Sequence, residues 1–325
     1  MAPRADFTTY RFSTHRLPER ERLTAWRETF GRAIVRVESY PLGDGPFHGE
    51  ADFRVMPGAA IGVTTLSPMY GIRTPELTRD GRDDVGLMVP TSGKAFASQR
   101  GCEAVIHEGD GAVMRAAEPA RFGSRTAFRT INVVIPEAIL GPLVSNRDAL
   151  SMSVIAADNV ALRLLVGYIE LLRAQPELIT PATGHLAATH IQDLVALAIG
   201  ATRDTAAAAA GRGVRAARLA AIKADICENL GRPNLSVADV ARRQGISPIY
   251  VRKLFESEGA TFSEFVRGRR LVEAYRKLTD PGLVGTITAV ALEVGFADLS
   301  YFNRCFRRQF GASPSEIRTA SRDRE

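Results

Sequence analysis

The side chains best placed to do chemistry are cations on the outer side of a short helix. From Pro248 the chain reads PIYVRKLF; Val251, Leu254 and Phe255 turn inward, and Ile249, Tyr250, Arg252 and Lys253 stay on or near the outer face. Arginine and lysine donate to guanine O6 and N7, and isoleucine can pack on a thymine methyl, so these four are candidates for base contacts in a DNA major groove. Catalysis has less to build on. The histidines, His15, His48, His107, His185 and His190, include no HxH pair, and His185 and His190 are five apart, so they do not share a helix face as i, i+4 metal ligands would. No GxSxG elbow, phosphate-binding loop or locally supported Ser/His/Asp set occurs. Cys102, Cys227 and Cys305 show neither CxxC nor Cys/His metal spacing. The expectation is a non-enzyme with no catalytic residue, no metal and no cofactor.

The elements that would position the cations can be read from LSVADVARRQGISPIYVRKLF, Leu235 to Phe255. Ser236 can N-cap a first helix, and Val237, Val240 and Ala241 give it one apolar face. Gly245 supplies the turn, Ser247 caps a second helix, and Pro248 takes that helix's first position, where its missing N–H costs nothing. Alone, this could be any αα-hairpin. It recurs, however, from Thr286: Thr286, Ile287, Val290, Ala291 and Gly295 repeat Ser236, Val237, Val240, Ala241 and Gly245 at one offset. One extra residue in the second turn then aligns Phe306 with Phe255, and GATFSEFV from Gly259 resembles GASPSEIR from Gly311. A repeat of caps, core positions and turn glycine points to two helix-turn-helix units.

Charge follows the same division. The 325 residues carry a net charge of +6, and from Gly211 onward there are 20 Lys+Arg against 13 Asp+Glu, a net of +7. The excess positive charge lies in the C-terminal third, as a polyanion partner requires. Ahead of it, the stretch from about Ala33 to Pro136 holds short Val/Ile/Phe/Thr runs broken by Gly, Pro and Asp, which predicts a β-barrel or sandwich, with AIVRVESY among its strands and a hairpin-type turn at Gly109–Val113. Residues 16–31 read as a helix that Gly31 can stop, with a Leu23, Trp26, Phe30 stripe for core packing, although Trp26 could touch a ligand instead. From about Asp158 to Ala201 two amphipathic helices follow, able to pack on their own barrel or on a second copy. Residues 201–217 are Ala/Gly-rich and read as a linker. The first residues, MAPRADFTTYRF, contain no apolar h-region, and no window approaches ~18 uninterrupted apolar residues, so no membrane partner and a reducing, cytoplasmic setting are expected.

The segment from about Ala217 to Arg318 resembles the DNA-binding domain of AraC/XylS-type transcription regulators. The resemblance is carried by SVADVARRQGISPIYVRKLF, by RGRRLVEAYRKL (Arg267 to Leu278) and above all by VGFADLSYFNRCFRRQFGASPSEIR (Val294 to Arg318); the first repeat has one residue fewer than usual between Phe255 and Gly259. The β-rich part is similar to the cupin-like sensor barrel of that family. The resemblance implies an α+β chain of two domains: a ligand-binding and dimerisation domain at 1–204 (barrel about 33–136, helices about 158–201), a linker at 205–217, and an all-α DNA-binding domain at 218–325 with two helix-turn-helix motifs. Helix 222–229 would buttress the first motif, and a linker helix from about Phe262 to Leu278 would hold the two reading helices ~34 Å apart, one turn of DNA. The second reading helix, beginning near Leu299, would present Leu299, Ser300, Asn303 and Arg304 to bases, with Asn303 suited to adenine. Arg269, Arg307 and Arg308 would meet phosphates, and Phe296, Phe302, Phe306 and Phe310 would be core. The expected partners are double-stranded promoter or operator DNA, a small-molecule effector in the barrel, RNA polymerase, and a second copy through helices 158–201. Arg54, Arg73 and Arg129 lie in strand-like runs and could pair with an anionic effector, the alternative being outward, solvated arginines. The function expected is a ligand-responsive activator; the alternatives are a constitutive or architectural DNA binder whose barrel only dimerises, and a cupin-type enzyme.

Overall fold

The computed structural model describes residues 7–175, 179–202, 205–206, 213–280 and 285–322. It divides into two compact units, Met1–Ala217 and Arg218–Glu325. Of the expected linker, residues 207–212 lie outside the described residues; from Gly213 the chain is already helical.

The described residues of the first unit form two antiparallel sheets. The larger joins β1 (Thr9–Ser13), β3 (Gly49–Met56), β4 (Ala59–Leu66), β11 (Phe128–Pro136), β6 (Asp84–Ser92), β9 (Gly111–Arg115) and β12 (Ser153–Ile155) in that order. The smaller joins β2 (Glu38–Pro41), β5 (Met69–Arg73), β10 (Ala120–Ser124), β7 (Ala95–Gln99) and β8 (Cys102–Ile106). This is the cupin-like double sheet that the family resemblance implies. The GDGAV segment is not a hairpin turn, because β8 pairs with β7 in the smaller sheet and β9 with β6 and β12 in the larger. It carries the chain from one sheet to the other.

Two helical features also depart from the sequence reading. Helix α1 (Glu19–Ala25) does not stop at Gly31 but continues as a π-helix over Trp26–Val35, ending where Arg36 takes a left-handed conformation (φ 58°). The first half of AIVRVESY is therefore helical, and only β2 is strand. Aromatic packing accounts for the extension: Trp26 and Phe30 pack with tilted rings at 4.4 Å between centroids, with Phe47 against Trp26 and Phe53 against Phe30. Thr9–Ser13, which the sequence leaves unassigned, pairs with Ala51–Arg54 and Glu50 of β3.

After the short α2 (Glu137–Leu140), the helices α3 (Val160–Ala174) and α4 (Pro181–Ile199) pack on each other, and α4 lies on β3 and β4. Their buried sets are Leu162, Leu165, Tyr168, Ile169 and Leu172 on α3 and Ile191, Leu194 and Val195 on α4, whereas Val160 and Leu186 are exposed. The helices thus bury their stripes on their own unit.

Helix α5 spans Gly213–Glu228, longer than the expected 222–229, and belongs to the second unit from Arg218 onward. Then come α6 (Val237–Arg243), α7 (Pro248–Glu256), α8 (Phe262–Leu278), α9 (Ile287–Glu293), α10 (Leu299–Phe310) and α11 (Pro314–Arg322). The described residues build two cores. Leu219, Ile222 and Ile226 of α5 join Val240, Val251, Leu254 and Phe255 in the first. Val290, Ala291, Phe296, Phe302 and Phe306 build the second, with Phe310 packed at its edge. Helix α8 belongs to both: Phe262 and Val266 enter the first core, and Leu271, Ala274 and Leu278 the second. A 17-residue helix is about 25 Å long, enough to span two such cores.

Candidate nucleic-acid interface and effector cavity

Both helix-turn-helix units are built by the same local rules. Ser236 and Thr286 cap the first helices through the N–H groups of Asp239 and Ala289. In each turn a glycine takes positive φ, Gly245 at 63° and Gly295 at 94°, and the following amide closes on the helix: Ile246 N–H donates to Ala241 O at 3.0 Å, and Phe296 N–H to Ala291 O at 2.9 Å. The second helices are capped by Ser247 on Tyr250 N–H and by Asp298 on Tyr301 N–H. Helix α8 opens on a reciprocal capping box between Thr261 and Glu264.

The two motifs meet around Arg270, midway along α8. Its guanidinium donates to Leu230 O at 3.1 Å and Arg232 O at 2.6 Å, in the loop between α5 and α6. Burial pulls its pKa below the usual arginine value. Gly295 lies against the same group: a Cβ there would sit 2.5 Å from Leu230 O and 2.7 Å from Arg270 Nη2.

Seven of the eight residues expected at bases are exposed: Ile249, Arg252 and Lys253 on α7, and Leu299, Ser300, Asn303 and Arg304 on α10. Tyr250 differs. It is half-buried against the first core, with the Arg218 guanidinium 5.9 Å from its ring. Arg269, Arg307 and Arg308 are exposed too. Five other cations of the unit are paired with acids. Lys223, Arg242, Arg243, Arg276 and Lys277 each form an ion pair with Glu258, Asp239, Asp225, Glu273 and Glu293 respectively. Among the described residues Arg252, Lys253, Arg269, Arg304, Arg307 and Arg308 form no ion pair within 4 Å, which leaves them available to an external polyanion. Exposed Tyr301 of α10, which the sequence reading did not single out, accepts a bond from Arg267 of α8.

A second concave site lies between the two sheets of the first unit, about 240 Å³ in volume. Its apolar wall includes Trp26, Phe30, Phe53, Leu66, Met69 and Phe128, the core under the π-helix. Its polar wall includes Ser39, Thr64, Thr130 and Asn132. Ser39 Oγ is buried without a hydrogen-bond partner, an arrangement that costs on the order of 1–3 kcal/mol. Of the three arginines singled out, only Arg73 lines this cavity. None is a solvated outward arginine. Arg54 is buried and donates to Leu172 O at 2.7 Å; Arg129 bonds Thr91 Oγ1 and Glu170, both at 2.9 Å. These two tie the larger sheet to α3. Trp26 both packs in the core and lines the cavity.

Among the described residues, no group of three or more His, Cys, Asp or Glu could hold a metal ion, and no helix is long and apolar enough to cross a membrane.

Comparison with known proteins matches both domains. Residues 26–200, more than half of the chain, match the AraC-binding-like domain, and residues 240–320 match a helix-turn-helix domain. The transcriptional activator RhrA of Rhizobium meliloti (strain 1021) is 36% identical over 179 residues, covering 54% of this chain and 55% of RhrA, so the chain spans about half the length of that relative. The transcriptional activator NphR of a Rhodococcus species is 27% identical over 281 residues, 83% of this chain and 81% of NphR. Among solved structures, the AraC-like transcriptional activator CuxR shares the fold at 20% identity and a TM-score of 0.50, covering 83% of this chain and 96% of CuxR.

Proposed function

Because the chain belongs to the AraC/XylS family of transcription regulators, we propose that it is an activator that reads a specific DNA sequence through α7 and α10 under the control of a small molecule held between the sheets. The observation that carries the DNA reading is the set of exposed cations without an ion pair on two capped helices, Arg252 and Lys253 on α7 and Arg304, Arg307 and Arg308 on α10. Ile249, Arg252 and Lys253 on one helix, and Leu299, Ser300, Asn303 and Arg304 on the other, meet base edges. Tyr250 steadies α7 from within. Arg269, Arg307 and Arg308 neutralise phosphates and set register without reading sequence. The domain scheme is a ligand-binding domain at 1–204, a linker at 205–217 and a DNA-binding domain at 218–325, a division that the two compact units support. An activator must also meet RNA polymerase on exposed surface. A second copy would dock on the outer face of α3 and α4, where Val160 and Leu186 stand out.

The test is DNA binding by an Arg304→Ala variant. Loss of a bidentate base contact costs about 1–3 kcal/mol on the cognate duplex and relaxes preference at one base pair. Arg308→Ala, by contrast, weakens all duplexes alike and flattens the salt dependence by about one phosphate equivalent. Wild-type discrimination in Arg304→Ala would remove α10 from the base-reading surface. A genome-wide footprint of the wild-type protein supplies the duplex.

A further inference from the structure

We propose that the cavity selects an uncharged, compact, mainly hydrocarbon guest bearing one hydroxyl or amide group, and rejects carboxylates of the same shape. This rests on the reading that the cavity holds the effector, and names the chemical class of that effector.

Among the described residues three guanidinium groups line the cavity, and each already faces acid. Arg73 meets Asp80 at 2.8 Å and also donates to Ala116 O and Arg36 O. Arg82 meets Asp84 at 3.5 Å, and Arg115 lies 3.1 Å from Asp83 and 3.9 Å from Glu137. Four carboxylates thus stand against three arginines, with Glu137 shared by Arg147 at 3.5 Å. Asp80 stays ionised: burial raises its pKa, but the Arg82 amide, the Arg73 guanidinium and both positive charges outweigh burial and leave it lowered. Arg115 Nε has no partner, yet its guanidinium is already bracketed by two acids. An entering carboxylate would lose its hydration and find no uncompensated cation among the described residues.

The neutral groups point the other way. Thr64 and Thr130 hydroxyls lie 2.7 Å apart, and Asn132 Nδ2 donates to Thr130 Oγ1 at 3.0 Å and to Thr64 Oγ1 at 3.3 Å. Two hydroxyl protons are present and one is used between the threonines, so one donor remains. Asn132 Oδ1 accepts no bond from the described residues. Ser39 Oγ adds a second unpartnered hydroxyl. A group that both gives and takes one hydrogen bond, an alcohol, phenol or amide, matches this wall. The aromatic wall and a volume below the ~300–1,000 Å³ of larger ligand sites suit a single ring.

Trp26 provides the readout, since it is the chain's single tryptophan and lines the cavity. The full-length protein is titrated with p-cresol, benzamide, toluene and benzoate at fixed salt and pH, following Trp26 emission and the melting temperature. p-Cresol and benzamide are expected to bind at least about tenfold more tightly than benzoate, and more tightly than toluene. Asn132→Leu, and the near-isosteric Thr130→Val as a second variant should the first not fold, are expected to remove the advantage over toluene. Benzoate binding as tightly as p-cresol overturns the charge argument while leaving the cavity an effector site. An undiminished advantage over toluene in a folded variant overturns the hydrogen-bonding argument. Silence from all four probes, in both emission and melting, overturns the proposal together with the effector reading beneath it.

Discussion

The two turn glycines occupy equivalent places in the repeat but not equivalent surroundings, and alanine should tell them apart. At Gly245 the backbone is left-handed and a Cβ would meet nothing within 4 Å. Gly245→Ala therefore carries only conformational strain, about 1–2 kcal/mol, partly offset by the lower entropy of the unfolded alanine chain, about 0.4–1 kcal/mol. The net loss is on the order of 1 kcal/mol. At Gly295 the φ of 94° lies further from the left-handed well, and the new Cβ would stand 2.5 Å from the carbonyl oxygen of Leu230 and 2.7–2.8 Å from the Arg270 guanidinium. Backbone cannot rotate away as a side-chain end can, so the loop must move, at the ~1–3 kcal/mol typical of overpacking. Gly295→Ala should lose about 2–4 kcal/mol. Urea melts of both full-length variants followed by far-UV circular dichroism measure the difference in the helical unit. Trp26 emission serves as an internal control, because it reports the other unit. Equal losses for the two alanines would refute the close approach of α9–α10 to the loop after α5.

Two further predictions concern pH in the first unit. Asp80 has a folded-state pKa below its ordinary 3.8, so its contribution is complete above that value and is lost as pH falls through the lower folded value. Asp80→Asn should lose about 2–3 kcal/mol at neutral pH and show a shallower acid limb in Trp26-monitored melts; an unchanged acid limb would mean that the Arg73–Asp80 bond does not hold in solution. Burial pushes the Tyr168 phenol up to about 12, with its hydroxyl 3.1 Å from His190 Nδ1. The stability it supplies is present below the ordinary value of 10.0 and is lost as pH rises toward 12. Phenolate absorbance should show an ionisation phase near pH 12, and Tyr168→Phe should delete that phase.

The helical unit was legible because its instructions are local. Caps three residues from their targets, a glycine at each turn and apolar positions at 3.6-residue spacing locate α6 to α10 without knowledge of the rest of the chain. The sheets were legible only as strands. Whether Gly109–Val113 closes a hairpin or crosses between sheets depends on partners that no local signal names: Ile106 faces Ala95 in one sheet, and Gly111 faces Ile155 in the other. The same holds for Thr9–Ser13, whose partner strand begins at Gly49. Gly31 looked like a helix stop because propensity favours one there; tertiary packing of Trp26 and Phe30 on Phe47 and Phe53 overrode it. Arg54, Arg73 and Arg129 could not be judged from type alone, since their acceptors on α3, and at Ala116 and Arg36, come together only once the sheets are folded.

Arg270 gives the strongest test of whether the two motifs act as one reader. Helix α8 is shared by both cores, but a shared helix alone permits each motif to pivot about it. The Arg270 guanidinium opposes that freedom, holding Leu230 O and Arg232 O at a place where Gly295 of the second motif leaves no room for a Cβ. Arg270→Met keeps the aliphatic stem and deletes both bonds, leaving two carbonyls without this donor. A charge-assisted bond to a half-buried acceptor is worth about 1.5–3 kcal/mol, and screening at this partly exposed site places the total near the lower end, about 2 kcal/mol. The DNA consequence should exceed the stability consequence in kind. A mobile pair can still bind each half of its site, so an isolated half-site should be bound as by wild type, while the full site loses the gain from linking the two. Full-site and half-site duplexes compared at one salt concentration measure that gain. If Arg270→Met weakens both duplexes by the same factor, the residue supports α7 or α10 directly and the two motifs are not held in register at this point.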